Sequence, residues 1–111
     1  MSINKKGFKM KQHTLKVFPV LEKERDSRLK ADMPVYIVKD GRFFRTAYHP
    51  QGWSQTPDYR LGSDGRIYRT KNHPEGSSDQ PDYEFGRDSK LYRTISHPKG
   101  LSDLPEFKIN D

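Results

Sequence analysis

A stretch of 24 residues occurs three times in succession and without a gap, as Val35–Asp58, Tyr59–Asp82 and Tyr83–Glu106. Asp40, Asp64 and Asp88 align, as do Arg45, Arg69 and Arg93, and Thr46, Thr70 and Thr94. His49, His73 and His97 each precede a proline, and Gly52, Gly76 and Gly100 follow. Pro57, Pro81 and Pro105 close the units, and Phe107-Lys108-Ile109 repeats the opening Tyr83-Glu84-Phe85 as a terminal half-repeat. A unit this short cannot bury a core alone, so its stability has to come from stacking against its copies.

Each unit opens with alternation, as in Tyr59-Arg60-Leu61, which reads as a strand with one buried face. Asp40-Gly41 and Asp64-Gly65 then call for two-residue type I′ hairpin turns, and Asp88-Ser89 is the weaker equivalent. With a two-residue turn the register sets Leu61 opposite Tyr68, Arg60 opposite Arg69, and Glu84 opposite Arg93. The Arg60–Arg69 pair would place like charges together unless an anion or acid lay between them. A loop of about a dozen residues, rich in Pro, Gly, Ser and Asp, joins each hairpin to the next.

The expected fold is all-β, with the 24-residue hairpin repeats closed into a small propeller-like or flower-like ring in which the terminal strands pair. Phe107–Ile109 has no second strand after it, and Leu15-Lys16-Val17-Phe18 has the alternation to supply one; Phe8–Lys11 is a second candidate. A linear stack, or pairing of the last strand with a second chain, are the competing assemblies. Residues 1–34 are expected to form a basic arm with a strand and, at 21–32, a short solvated helix or a linker, followed by repeats 35–58, 59–82 and 83–106 and the half-repeat 107–111.

Only 31% of the residues are hydrophobic and 32% are charged, so the core is small, yet 12% are aromatic, more than a disordered chain carries. No apolar run approaches the length that spans a membrane, and lysines interrupt any secretory h-region. With no Cys there is no disulfide framework or thiol chemistry. A cytoplasmic location is the default. The net charge of +6 belongs to residues 1–30, which hold nine Lys/Arg and three acids. Residues 31–111 are neutral overall.

Arg-Thr-x-x-His-Pro-x-Gly offers a ligand-binding set, namely Arg45, His49, Arg69, His73, Arg93 and His97, in which the guanidinium forks would take a carboxylate or phosphate. The competing reading is structural, with each His capping its own turn and each Arg pairing with an acid such as Asp58 or Asp82. Three related histidines also raise zinc, but no His-x-x-x-His or His-Glu pair supports it, and no metal or cofactor is expected. Trp53 and Tyr48, absent from the other two copies, add an aromatic binding spot. No phosphate loop, nucleophile elbow or metalloprotease motif is present, so no catalytic residue is assigned and the chain is not expected to be an enzyme. The leading expectation is a non-catalytic binding module for a protein or anionic ligand, with self-association also open. The alternative is nucleic-acid binding through Lys5, Lys6, Lys9, Lys11 and Lys16 on the arm. A third is carbohydrate binding by analogy with small repeat lectins.

Overall fold

The computed structural model describes residues 14–20 and 29–110. The strands are β1 (Leu15–Pro19), β2 (Tyr36–Lys39), β3 (Arg42–Arg45), β4 (Pro57–Leu61), β5 (Arg66–Arg69), β6 (Tyr83–Phe85), β7 (Lys90–Arg93) and β8 (Phe107–Asn110). They pair antiparallel in chain order and close into a barrel. Closure is the pairing of the two chain ends, Val17 with Ile109 and Phe18 with Lys108. The expected ring is therefore present, with the strand at Leu15–Phe18 completing a fourth hairpin. Full closure removes the exposed sheet edges that a linear stack leaves. The other candidate strand, Phe8–Lys11, lies outside the described residues, as does most of the helix expected at 21–32. Residues 29–32 of that segment are not helical. Among the described residues no helix is long and apolar enough to cross a membrane.

Each strand contributes one side chain to the barrel axis. Tyr36, Tyr59, Tyr83 and Phe107 form one layer and Val17, Phe43, Ile67 and Leu91 the other. The four aromatic rings meet edge to face around the axis, with centroids 5.9, 5.7, 5.6 and 6.1 Å apart. That arrangement sets the positive edge of one ring against the negative face of the next. The space left between the layers is about 10 Å³, at the threshold for a single water, so the axis is a packed core and not a pore. A chain poor in apolar residues manages with few because four-fold repetition aims eight of them at one line, with Val35 and Val38 buried beside them.

The turns correct the expected register. Asp40-Gly41 is the type I′ turn, both residues having positive φ (52° and 76°), and Lys39 pairs with Arg42 across it. At the second and third hairpins the loop is one residue longer. Gly65 donates to the Gly62 carbonyl at 3.1 Å, and Gly65 alone has positive φ, 79°. This is a type I turn followed by a left-handed residue. Asp64 stabilises it by accepting the Arg66 N–H at 3.0 Å and the Tyr68 hydroxyl. Asp88, Lys90 and Tyr92 repeat the arrangement around Ser89 (φ 65°). Gly62 and Gly86 are required beneath those tyrosines, since a Cβ there would lie 2.8 or 2.6 Å from the ring.

A one-residue slip moves each side chain to the other face. Ile67 is therefore inside and Tyr68 outside, and Arg60 stands opposite Tyr68, not Arg69. Glu84 likewise stands opposite Tyr92, not Arg93. The shorter first turn also means that Tyr36, and not Val35, occupies the place of Tyr59 and Tyr83.

Candidate functional site

Two successive residues of one strand cannot both face a core unless the strand is irregular. Asp58 and Tyr59 are both buried, and pairing passes from Phe43–Tyr59 to Phe44–Pro57, skipping Asp58. The bulge brings Asp58, only 2% exposed, against Arg45, with Oδ2 3.1 Å from Nε. Asp82 meets Arg69 in the same way, through bonds of 3.0 and 3.4 Å to Nε and Nη2. Glu106 lies 3.6 Å from Arg93 Nε. Each hairpin arginine is thus held by the acid that opens the next hairpin.

The histidines are held as firmly. His49, His73 and His97 place Nδ1 to accept the backbone N–H of Gln51, Glu75 and Lys99 at 3.0, 3.0 and 2.9 Å. The proton of the neutral ring is therefore on Nε2, which donates to the hydroxyls of Tyr36, Tyr59 and Tyr83 at 3.1, 3.1 and 3.2 Å. Thr46 donates to the Pro34 carbonyl at 2.7 Å and accepts the Tyr48 N–H at 3.0 Å, and Thr70 and Thr94 do the same in their loops. Gly52, Gly76 and Gly100 have φ of 83–84°, which explains the fixed glycine.

Among the described residues the fourth hairpin carries other residue types at the positions of this network. Phe107 replaces the tyrosine, Pro19 the arginine, Val20 the threonine and Val35 the acid. Groups that disappear together act together, and here they brace loops. The histidines do not converge, and among the described residues no group of His, Asp and Glu is arranged to hold a metal.

Burial lowers the pKa of His73 and of His97, the charged acids and arginines nearby contributing less and in opposite directions. Burial also raises Asp58, with Arg45 opposing it. For the histidines the unfolded chain takes up protons first as pH falls, so they contribute stability above the ordinary imidazole pKa that is lost as pH drops through the lowered one. Protonation also removes the Nδ1 acceptor from each loop. The melting temperature is expected to be lower at pH 5 than at pH 7.5, and His73→Gln to flatten that difference; a thermal melt series in circular dichroism reads both.

What remains unspent lies on the outside of the first hairpin. Ile37, Lys39, Phe44, Arg45, Thr46, Ala47, Trp53 and Gln55 line a groove of about 460 Å³. Trp53 stands over it 66% exposed. The corresponding loop positions in the other units carry Ser77 and Leu101 in place of Trp53, and Lys71 and Ile95 in place of Ala47. Ile37 stands where Arg60, Glu84 and Lys108 stand. Phe44 replaces Tyr68 and Tyr92; without the hydroxyl latch to a turn aspartate its ring is free to floor the groove. Tyr48, also exposed, borders a smaller hollow with Lys30, Met33 and His49.

Of the ligand-binding set read from the sequence, Arg45, His49, Arg69, His73, Arg93 and His97 are all engaged in bracing the hairpins and loops, and Trp53 stands exposed on the loop of the first hairpin. Of the arm lysines, Lys16 is on the outer face of β1, and Lys5, Lys6, Lys9 and Lys11 lie outside the described residues. The groove was legible only in part, through Trp53; Ile37 and Phe44 needed the register. Compared with known protein families, curated proteins and solved structures, the chain matches none.

Proposed function

We propose that this protein is a non-catalytic binding module whose contact site is the outer groove of the first hairpin and its Arg-Thr-x-x-His-Pro-x-Gly loop. The observation that carries the reading is asymmetry within a repeat. What the fold needs recurs in every unit, and what a ligand needs does not have to. The first unit departs from the others at Ile37, Phe44, Ala47 and Trp53, and these residues line one groove. An exposed Trp over an apolar floor is a rigid anchor for a planar or apolar group. Lys39 at its edge favours a negatively charged ligand, Arg45 being held by Asp58. The titratable groups that catalysis would recruit are committed to holding loops, which supports a binding role.

The test uses residues that the barrel already tolerates elsewhere. Titration with the anionic aromatic dye 1-anilinonaphthalene-8-sulfonate should saturate. Trp53→Ser, which installs the second unit's residue, should weaken binding at least about tenfold, or ~1.4 kcal/mol. The dye's own fluorescence reads both. Dye binding that W53S leaves unchanged, with the melting temperature unaltered, removes the groove as the site.

A further inference from the structure

On the outer wall Lys39 pairs directly with Arg42, and Arg42 with Arg60. Three cations therefore stand side by side on β2, β3 and β4, an arrangement that destabilises a sheet unless an anion lies over it. Among the described residues none of the three has an ion-pair partner. One step further round the barrel Arg66 faces Glu84 at 3.6 Å, so the uncompensated charge is local. Among the described residues the adjoining turns carry Asp40, at the tip of the first hairpin, and Asp64, whose carboxylate is taken by Tyr68 and the Arg66 N–H. The adjoining outward row is Lys16, Ile37 and Phe44. The cation row thus borders the groove floored by Phe44 and flanked by Trp53, and at its other end the Arg60 guanidinium lies 4.8 Å over the Tyr68 ring.

We propose that this wall binds single-stranded nucleic acid, with phosphates on Lys39, Arg42 and Arg60 and an unpaired base between Trp53 and Phe44. The proposal rests on the groove being the contact site and gives that site its ligand. Carboxylates of an acidic peptide would use the cations alone, whereas a single strand uses cations and ring faces in alternation. A duplex keeps its base faces in the stack, out of reach of Trp53. The proposed contact calls on none of the arm lysines Lys5, Lys6, Lys9 and Lys11.

The experiment titrates the full-length chain with dT12 and rU12 and follows Trp53, the sole tryptophan, by fluorescence. Quenching is expected, with log Kobs falling against log salt with a slope of about −2 for three phosphates on a single strand. The double variant R42Q/R60Q should flatten the slope to about −0.7. W53S, followed by anisotropy of labelled dT12, should weaken binding about tenfold at unchanged slope. A full-length variant with Gln at positions 5, 6, 9 and 11 should retain the quenching. The proposal is overturned by absence of quenching at the lowest salt or by a 12-base-pair duplex binding as tightly as dT12. It also falls if a Glu- and Tyr-containing peptide displaces dT12 at lower concentration than unlabelled dT12 does, or if binding is lost in the arm variant and kept in R42Q/R60Q. If the oligonucleotides fail while the sulfonate dye still binds in a Trp53-dependent way, only the nucleic-acid ligand is refuted. If both fail, the groove itself is refuted.

Discussion

Tyr59→Ala is expected to cost about 3–5 kcal/mol of folding stability, the range for deleting a fully packed aromatic. The ring touches Tyr36 and Tyr83 edge to face in the four-ring layer, at 5.9 and 5.7 Å, and lies against Phe43 in the layer beside it. No neighbour can close the gap, because each is pinned to its own strand by the same four-fold pattern. The His73 Nε2–H also loses its acceptor. Tyr59→Phe keeps the ring and removes only the hydroxyl, so it should cost about 1–3 kcal/mol, the penalty for one orphaned donor. Phe107 already occupies the fourth place in the layer without a hydroxyl. Urea unfolding of the two variants against the parent checks the order. Equal losses in both would show that the hydroxyl network, and not the ring layer, carries the stability.

Asp82→Ala should be the most damaging change among the polar residues. It strips the bidentate partner from Arg69 and leaves that guanidinium half-enclosed beside the aromatic layer. Breaking a buried pair typically costs about 3–5 kcal/mol; Arg69 keeps some water and a distant Glu75, so about 2–3 kcal/mol is expected here. Removing both partners should be milder. The double variant D82V/R69L copies the chemistry of Val35 and Pro19, which serve the fourth hairpin at the same two places. It should return to within about 1 kcal/mol of the parent, since a well-packed apolar pair avoids the desolvation of two charges. A double-mutant cycle by urea unfolding measures the coupling; a double variant as unstable as D82A would mean that the ion pair is not replaceable in this hairpin.

The repeat made the architecture readable. Alternation around Tyr59 and Tyr83 located the strands, Asp40-Gly41 located a true two-residue turn, and the unpaired Phe107–Ile109 pointed to closure by Leu15–Phe18. Local chemistry of this kind acts within a few residues and is written in the chain. The faces of the second and third hairpins were not readable from Asp64-Gly65. Asp64 bonds Tyr68 and the Arg66 N–H, which lengthens the turn by one residue and exchanges inside for outside. That exchange carries Arg60 away from Arg69 and sets it beside Arg42.

The same distinction separates the residues that recur in every unit from those found in one. Arg45, Arg69, Arg93 and the three loop histidines stand out in the sequence, and their repetition reflects work that every hairpin needs. Ile37 and Phe44 do not stand out at all. They matter because a short turn, a missing hydroxyl and the loop bearing Trp53 bring them to one groove beside Lys39, Arg42 and Arg60.

By itself the sequence determined that hairpins would follow one another at a fixed spacing of 24 residues, and it offered Leu15–Phe18 as one way to complete the last of them. The reason is that turn geometry and period-2 patterning are local. Only the tertiary structure decided which side chains face the axis, which arginines are neutralised and which are left on the outer wall. Those outcomes depend on cross-strand register, and register is set by the whole closed barrel together with single hydrogen bonds in its turns.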